Sequence, residues 1–436
     1  MLVSVSWGMA RTKLYPPSVD SAFPRLPPTP PGWRHATFRD VLEIVERPIR
    51  LEPETRYMLV TAKRSRGGIT LRSELLGREI LTKTQFSTRA GDFLISRRQI
   101  IHGACGVVPQ ELDGAVVSNE YSTLRTRPEL LMEFLQHYTH TPYFQRSCFH
   151  SSHGVDVEKM IFKLDEWLAR EFDLPPTAEQ KKIADILASV DGSIAATQAV
   201  IGQLQVVKKA MMAELLSRGL PGRHTRFQQT ALGKIPKGWD VLRGEALFKL
   251  AGGYGPSSLT FAPEGSALFL KVDDFNRPEN RRGLRGAALR FDPQVNPRIG
   301  TYQSGSLIFP KRGAAIFKNR VQILEATATV DPNLMVLLPG NRIDPAFFAY
   351  EMLQIGLHNL SDNSGIPQLN NKHLYPHPFL VPPLDEQVVI RGALAAVDER
   401  LDRECQKVSG LTLVKGALLS VLLTGEVRVK PDPEPT

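Results

Sequence analysis

Two stretches of the chain carry apolar residues in alternating steps of four and three. In the first they fall at Ile183, Leu187, Val190, Ile194, Ile201, Leu204, Met211 and Leu215. In the second they fall at Ile390, Leu394, Val397, Leu401, Val408, Leu411, Leu418 and Leu422. A seam sustained over this many heptads predicts a long helix paired with another, not a lone surface helix. Thr197 interrupts the first seam and Glu404 the second, with Val207 and Lys208 at a remaining seam position. A helix of about 35 residues, at 1.5 Å per residue, spans ~50 Å.

The two seams are copies. Residues 174–217 and 381–424 align without a gap, each position shifted by 207, as in Pro175/Pro382, Glu179/Glu386, Gln180/Gln387, Asp191/Asp398 and Lys208/Lys415. Fixed-period self-similarity is the signature of a duplicated architecture. The Pro-Pro pair blocks backward continuation of each helix, and Thr177 with Gln180 is spaced as a capping box. Leu384 replaces Thr177 in the second copy, so Asp385 is the expected cap there. Glu179 and Glu386 read as helix-start carboxylates favoured by the dipole. A shorter echo precedes each copy: Pro31-Gly32-Trp33 matches Pro236-Lys237-Gly238-Trp239. Weaker echoes fall between, with Gly91–Arg98 resembling Gly305–Arg312, and Gly154 and Gly365 each in a Ser-rich turn. Two matching seams in one chain most simply pack on each other. Because whole bodies connect them, the pairing is expected to be antiparallel, with the helices as a spacer.

Between the seams lie bodies that mix strands with helices. Expected strands are Tyr57–Ala62, Asp92–Ser96, Ala115–Val117, Ala267–Val272, Ser306–Phe309 and Leu334–Leu338; expected helices are Glu129–His137, Val157–Ala169 and Pro345–Gln354. Gly/Pro punctuation is dense, and no βαβαβ rhythm suggests a doubly wound nucleotide fold. The fold class is therefore α/β in the mixed α+β sense: two similar globular bodies and two long helices, related by a pseudo-twofold from the duplication.

Composition narrows the function. The 436 residues suffice for two or three cores at roughly 100–200 residues per domain. No run approaches the ~20 apolar residues of a membrane span, and no secretory signal is evident. Cys105, Cys148 and Cys405 are too scattered for a disulfide framework, so a reducing cytoplasm is the expected compartment. The net charge of +9 permits nucleic-acid binding without proving it. Basic residues gather in both bodies, and Lys63, Arg64, Arg66, Arg97, Arg98, Lys271, Arg281, Arg282, Lys311 and Arg312 are the candidate DNA contacts. Such side chains anchor phosphates, while a few Arg, Asn or Gln side chains read base edges. Gln99, Asn119, Asn276, Asn280 and Gln303 are polar neighbours of these clusters.

The pattern resembles the specificity subunits of type I restriction-modification systems. The resemblance rests on Gly233–Trp239, on the two PPxxEQ helix starts at Pro175–Gln180 and Pro382–Gln387, and on the helix ends Leu215–Gly219 and Leu422–Glu426. It covers the chain from Gly32 to about Val427. It implies target recognition domains at 32–172 and 237–380, each reading one half of a bipartite, asymmetric site on double-stranded DNA. It also implies conserved helices at 173–219 and 381–427, forming an antiparallel coiled coil that sets the spacer. A rod of ~50 Å suits readers one DNA turn apart, near 34–36 Å. Ile183, Leu187, Val190, Ile194 and Leu204 on one helix, with Ile390, Leu394, Val397, Leu401 and Leu411 on the other, are then the helix-pairing and subunit-docking candidates. Two modification (methyltransferase) subunits would dock there, and restriction (translocase-nuclease) subunits would join the assembly. The chain itself would be non-catalytic and bind no cofactor; S-adenosylmethionine, ATP and Mg would sit on partner subunits. The remaining segments are a Pro-rich leader at 1–31, a linker at 220–236 and a tail at 428–436.

No catalytic motif competes with this reading. There is no P-loop and no methyltransferase signature. Asp173 with Glu179-Gln180-Lys181 imitates a nuclease motif, but the second copy lacks the lysine. His137, His140, His150, His153 and Cys148 lack the convergent partner pair that a zinc site needs. Two other readings remain: the specificity subunit of a related methylase-nuclease system, and a coiled-coil adaptor whose basic bodies bind protein or RNA.

Overall fold

In the computed structural model, which describes residues 19, 22–362 and 365–430, the two seams form helices of 42 and 39 residues, Thr177–Arg218 and Leu384–Leu422. Each helix starts from its Pro-Pro pair. The amides of Glu179 and Gln180 both donate to the Pro176 carbonyl at 2.9 Å, and those of Glu386 and Gln387 to the Pro383 carbonyl at 3.0 Å. The expected caps are therefore superseded. Gln180 does not close a box with Thr177, because its amide is spent on other backbone groups, and Asp385 lies within the first turn, paired with Arg223. At the far end of the first helix Gly219 takes a left-handed φ of +76°, the conformation that terminates a helix cheaply only at glycine.

The chain divides into two compact units, residues 1–197 with 407–436 and residues 198–406, so each long helix serves both. In the first unit Ile183 and Leu187 are fully buried in one core with Leu422 and Leu423, and Asp191 meets Lys415 at 2.5 Å. In the second, Ile390 and Leu394 share a core with Met212, Leu215 and Leu216, and Asp398 meets Lys208 at 2.6 Å. Within each unit one helix ascends as the other descends, so the segments pair antiparallel, in a register that the duplication repeats. Val190, Ile194, Leu204, Val397, Leu401 and Leu411 are half-buried along these seams, as a two-helix contact requires. The interrupting residues are buried too: the Thr197 hydroxyl donates to the Ser193 carbonyl at 2.8 Å, and Glu404 pairs with Arg400 at 2.7 Å. Lys208, not the exposed Val207, holds the remaining seam position.

The bodies share a framework. In the first unit a four-stranded antiparallel sheet runs in the order Leu42–Ile44, Tyr121–Thr126, Phe93–Ser96, Cys105–Val107. The second unit repeats it with Phe248–Ala251, Leu334–Pro339, Leu307–Pro310 and Gln322–Ile323. A two-stranded joint leads each body into its helix, Arg34–Thr37 against Glu171–Leu174 and Asp240–Arg243 against Pro378–Val381. The inserts differ. The first body adds a five-stranded sheet containing the long hairpin Arg56–Ala62/Ile69–Leu76, and the second adds a three-stranded sheet, Leu289–Phe291, Ala267–Leu270 and Ala328–Val330. This is the mixed α+β architecture that the sequence suggests.

Three expected elements are corrected. The helix foreseen over Val157–Ala169 is broken into a 3-10 turn, Val157–Lys159, a short strand, Ile161–Phe162, and a helix, Leu164–Leu168. Its middle is extended because Phe162 donates its amide to the Arg97 carbonyl. The Glu129–His137 helix begins only at Met132, since Gln180 engages the Glu129 carbonyl and the Leu131 amide. The Ala267–Val272 strand stops at Leu270, where the Asp274 carboxylate accepts from the Lys271 amide and starts a turn. Residues 220–236 contain a hairpin, Phe227–Thr230 with Gly233–Pro236. Most of the Pro-rich leader, and the tail beyond Lys430, lie outside the described residues.

Candidate nucleic-acid interface

Each body is fastened to its helix start by the same pair of residues. Trp33 donates its indole N–H to the Glu179 carboxylate at 3.0 Å, and Trp239 donates to Glu386 at 3.0 Å. Both glutamates are buried, at 3% and 0% exposure, so an uncompensated charge here would be costly. Each receives side-chain partners. Arg428 forks onto Glu179 at 2.8 and 2.6 Å, while His224 meets Glu386 at 2.7 Å with the Leu220 amide at 3.1 Å. Burial opposes ionisation of Glu179, but hydrogen bonds from Arg428 and Trp33 outweigh it and hold the carboxyl below its usual range. The neighbouring glutamines act alike. Gln180 accepts from the Leu131 amide and donates to the carbonyls of Glu129 and Pro175; Gln387 accepts from the Asp344 amide and donates to those of Arg342 and Pro382. Gly-Trp and PPxxEQ thus recur together because they bond to each other. The glutamates are helix-start carboxylates, as expected from their position, and in addition clasps for the bodies.

On this framework the basic residues sort into distinct environments. Strands Phe93–Ser96 and Leu307–Pro310 occupy the same place in their sheets, so the pairs Arg97-Arg98 and Lys311-Arg312 that follow them are structural equivalents. The Arg97 carbonyl accepts from the Phe162 amide at 2.8 Å, and the Lys311 carbonyl accepts from Leu369 at 2.9 Å, so the Gly154 and Gly365 turns close over equivalent strand exits. Arg98 is held by Glu120 at 2.5 and 3.1 Å. Arg97 is half-buried, with its Nε unpartnered. Burial and the adjacent Arg312 lower the Lys311 pKa.

In the hairpin loop of the first body, Lys63 is exposed, and Arg64 donates to Gln99 at 2.9 Å and to Glu158 at 3.0 Å. Arg66 turns inward. Its backbone is left-handed, at φ +57°, its guanidinium donates to the Thr139 carbonyl, and burial lowers its pKa. In the second body Lys271 packs its ammonium over the Phe269 ring at 5.8 Å. Arg281 and Arg282 both turn to Asp402 on the second long helix, at 4.0 and 2.5 Å, and Arg282 also approaches Glu399 at 3.8 Å. The ten candidates therefore do not form one kind of surface. Arg64, Arg97, Arg98, Lys311 and Arg312 gather at the two strand exits, Arg64 and Arg98 in ion pairs with Glu158 and Glu120, whereas Lys63 stands in the hairpin loop, Lys271 lies over Phe269, and Arg66, Arg281 and Arg282 bond to other parts of their own unit.

Sequence reasoning missed Arg428, Glu158 and Gln368. For Arg428 a signal exists, since an arginine follows the glycine after each long helix, Arg223 after Gly219 and Arg428 after Gly425. The nuclease-like triplet separates: Asp173 takes Thr29 and His35, Glu179 takes Trp33 and Arg428, and Lys181 pairs with Asp185. Burial lowers the pKa of His137 and carries that of His140 down to about 4. Among the described residues no group of His, Cys, Asp and Glu is arranged to hold a metal ion.

The fold is that of type I restriction-modification S subunits. It matches a chain from a structure described as the basis of complex assembly and conformational transition of a type I R-M system, with TM-score 0.58 and 18% identity over 92% of this chain and 99% of that one. It also matches the type I S subunit from M. genitalium, with TM-score 0.55 and 15% identity over 92% and 98%. No family model matches the chain. Its curated homologues are type I restriction enzyme specificity subunits of Methanocaldococcus jannaschii. The putative MjaX subunit is 26% identical over 271 residues, 59% of each chain, and the MjaVIII subunit is 25% identical over 287 residues, 63% of this chain and 65% of that one. The chain thus matches less than two thirds of the length of either relative.

Proposed function

We propose that this chain is the DNA-specificity subunit of a type I restriction-modification complex and has no catalytic role of its own. Each body reads one half of a bipartite, asymmetric duplex site, and the paired helices set the unread gap. The observation that carries this reading is the duplicated framework: identical Trp–Glu clasps hold two bodies whose sheets agree at the joint and differ in their inserts. Constant joints with divergent inserts suit two readers of different sequences. The equivalent basic strand exits supply phosphate and base-edge chemistry in both.

Two copies of a methyltransferase subunit dock on the helices, and restriction subunits join that assembly. S-adenosylmethionine, ATP and Mg belong to those partners. Two apolar doublets support the docking: Val206-Val207 and Leu413-Val414 occupy equivalent positions in the two copies and stay exposed at 70%, 47%, 76% and 51%. Equivalent exposed patches suit two copies of one partner. No helix among the described residues is long and apolar enough to cross a membrane.

The test is adenine methylation across the genome by long-read sequencing, with the gene intact and deleted and the methyltransferase gene left in place. One bipartite motif with a fixed gap should vanish on deletion. Unchanged methylation would favour the adaptor reading.

A further inference from the structure

At the exit of the equivalent sheet strand, each body joins an arginine to a glutamine, and the two bodies supply them from different places. In the first body Gln99, directly after Arg97-Arg98, accepts from Arg64 Nε at 2.9 Å, and Arg64 comes from the hairpin loop Lys63–Gly68. In the second body Arg312, directly after Lys311, is the strand-exit residue. Gln368 from the Gly365 turn lies against the guanidinium, and turning its amide so that the oxygen faces Arg312, the orientation that gives both groups a partner, lets it accept from Arg312 Nε and Nη2 at 3.1 and 3.2 Å. The same two side-chain types meet at the same strand exit, which supplies the glutamine in one body and the arginine in the other while non-equivalent segments supply the partner, and a shared ancestral contact does not explain that.

We propose that Arg64–Gln99 and Arg312–Gln368 are the base-edge readers of the two half-sites; the assignment rests on the functional reading above. Arginine matches guanine O6 and N7 with two donors, and glutamine matches adenine N6 and N7 with one acceptor and one donor. Both arginines are exposed and both glutamines half-buried, so each pair is held yet reachable. The first pair sits on a braced loop. Ser65 and Arg66 adopt left-handed φ values of +56° and +57°, a conformation that persists in non-glycine residues only where the surroundings enforce it. Here the Arg66 amide bonds the Gly103 carbonyl at 2.8 Å and its guanidinium bonds that of Thr139. Glu158 completes the site. Its carboxylate takes Arg64 at 3.0 Å and lies 3.0 Å from His102 Nε2 while remaining half exposed, so a DNA acceptor displaces it from Arg64 without unfolding anything.

The experiment replaces the gene in its own cell with Gln99→Ala, Arg64→Ala, Gln368→Ala or Arg312→Ala and maps adenine methylation. The Gln99 and Arg64 variants should make one or two letters of a single half-site degenerate, with discrimination there falling roughly 5- to 150-fold. The Gln368 and Arg312 variants should do the same to the other half only, and the gap should keep its length in all four. If the wild-type gene supports no bipartite motif, the functional reading falls and the assignment with it. If the wild type supports a motif and the variants leave every letter unchanged, the assignment alone is overturned. Where an alanine variant abolishes methylation altogether, Gln99→Glu and Gln368→Glu decide. A new letter in the same half supports the assignment, and only the wild-type motif or none overturns it.

Discussion

Lys415 meets Asp191 at 2.5 Å in one unit, and the residues 207 positions earlier and later, Lys208 and Asp398, repeat the contact at 2.6 Å in the other. Lys415 and Lys208 are largely buried and the two aspartates partly so, which places these pairs at the edge of the helix seam. Their work is to fix which turn of one helix faces which turn of the other. Tyr350 adds its hydroxyl to Asp398 at 2.7 Å, whereas His137 flanks Asp191.

Charge reversal tests that register. Asp191→Lys or Lys415→Asp alone should lower stability by about 1 kcal/mol, and the double reversal should recover much of the loss. Thermal unfolding of the two single variants and the double one gives the coupling directly. Equal, additive losses would mean the pair does not set register.

The clasp on Glu179 makes stability depend on acid. Its carboxyl is held below the ordinary value, so its contribution is present above the unfolded pKa, near 4.5, and is lost as pH falls through the folded one. Arg428→Gln should lower the melting temperature near pH 7 by several degrees, with a smaller difference in strong acid. A constant difference at every pH would assign Arg428 a packing role alone.

Glu351 should behave in the opposite sense. It is buried in the second unit with its carboxyl on the Leu380 amide, and desolvation raises its pKa to about 8. The folded state then keeps a proton that the unfolded state has lost, so stability declines from about pH 4.5 to 8 and levels off above. Glu351→Gln should raise the melting temperature at pH 8 and flatten that slope. At roughly 2–4 °C per kcal/mol, differential scanning calorimetry resolves the change.

The apolar doublets offer a count of docked partners. Val206→Asp and Leu413→Asp each place a charge on one exposed patch and should leave folding intact. On the proposed docking of two methyltransferase subunits, each single variant should retain one and the pair together none. Native mass spectrometry of the co-expressed complex reads the stoichiometry; full occupancy in both single variants would move the docking surface elsewhere.

Much of this was legible in the sequence, and for physical reasons. A coiled seam is written locally, in the spacing of residues such as Ile183, Leu187 and Val190, so its helices could be read without any long-range knowledge. The echo between Gly91–Arg98 and Gly305–Arg312 marked equivalent strands because both sheets need the same apolar triplet there. What could not be read was partnership at a distance. Trp33 and Glu179 are 146 residues apart, and their bond shows in the sequence only as two motifs that duplicate together. Arg282 reads in the sequence as a candidate DNA contact, and nothing there shows that Asp402, 120 positions later, is brought beside it. The extended stretch at Ile161–Phe162 was hidden likewise, since the strand exit at Arg97 dictates it over the local helical pattern.

The division of the chain into units also has a consequence in time. Residues 198–406 are contiguous, so the second unit is complete as soon as its own stretch leaves the ribosome. The first body emerges earlier yet lacks Leu422 and Leu423 for its core and Arg428 for its buried glutamate. At about 5–20 residues per second, translation from Thr197 to Arg428 takes on the order of 10–45 s. Through that interval Glu179 waits without its arginine, and the half of the protein made first is the half finished last.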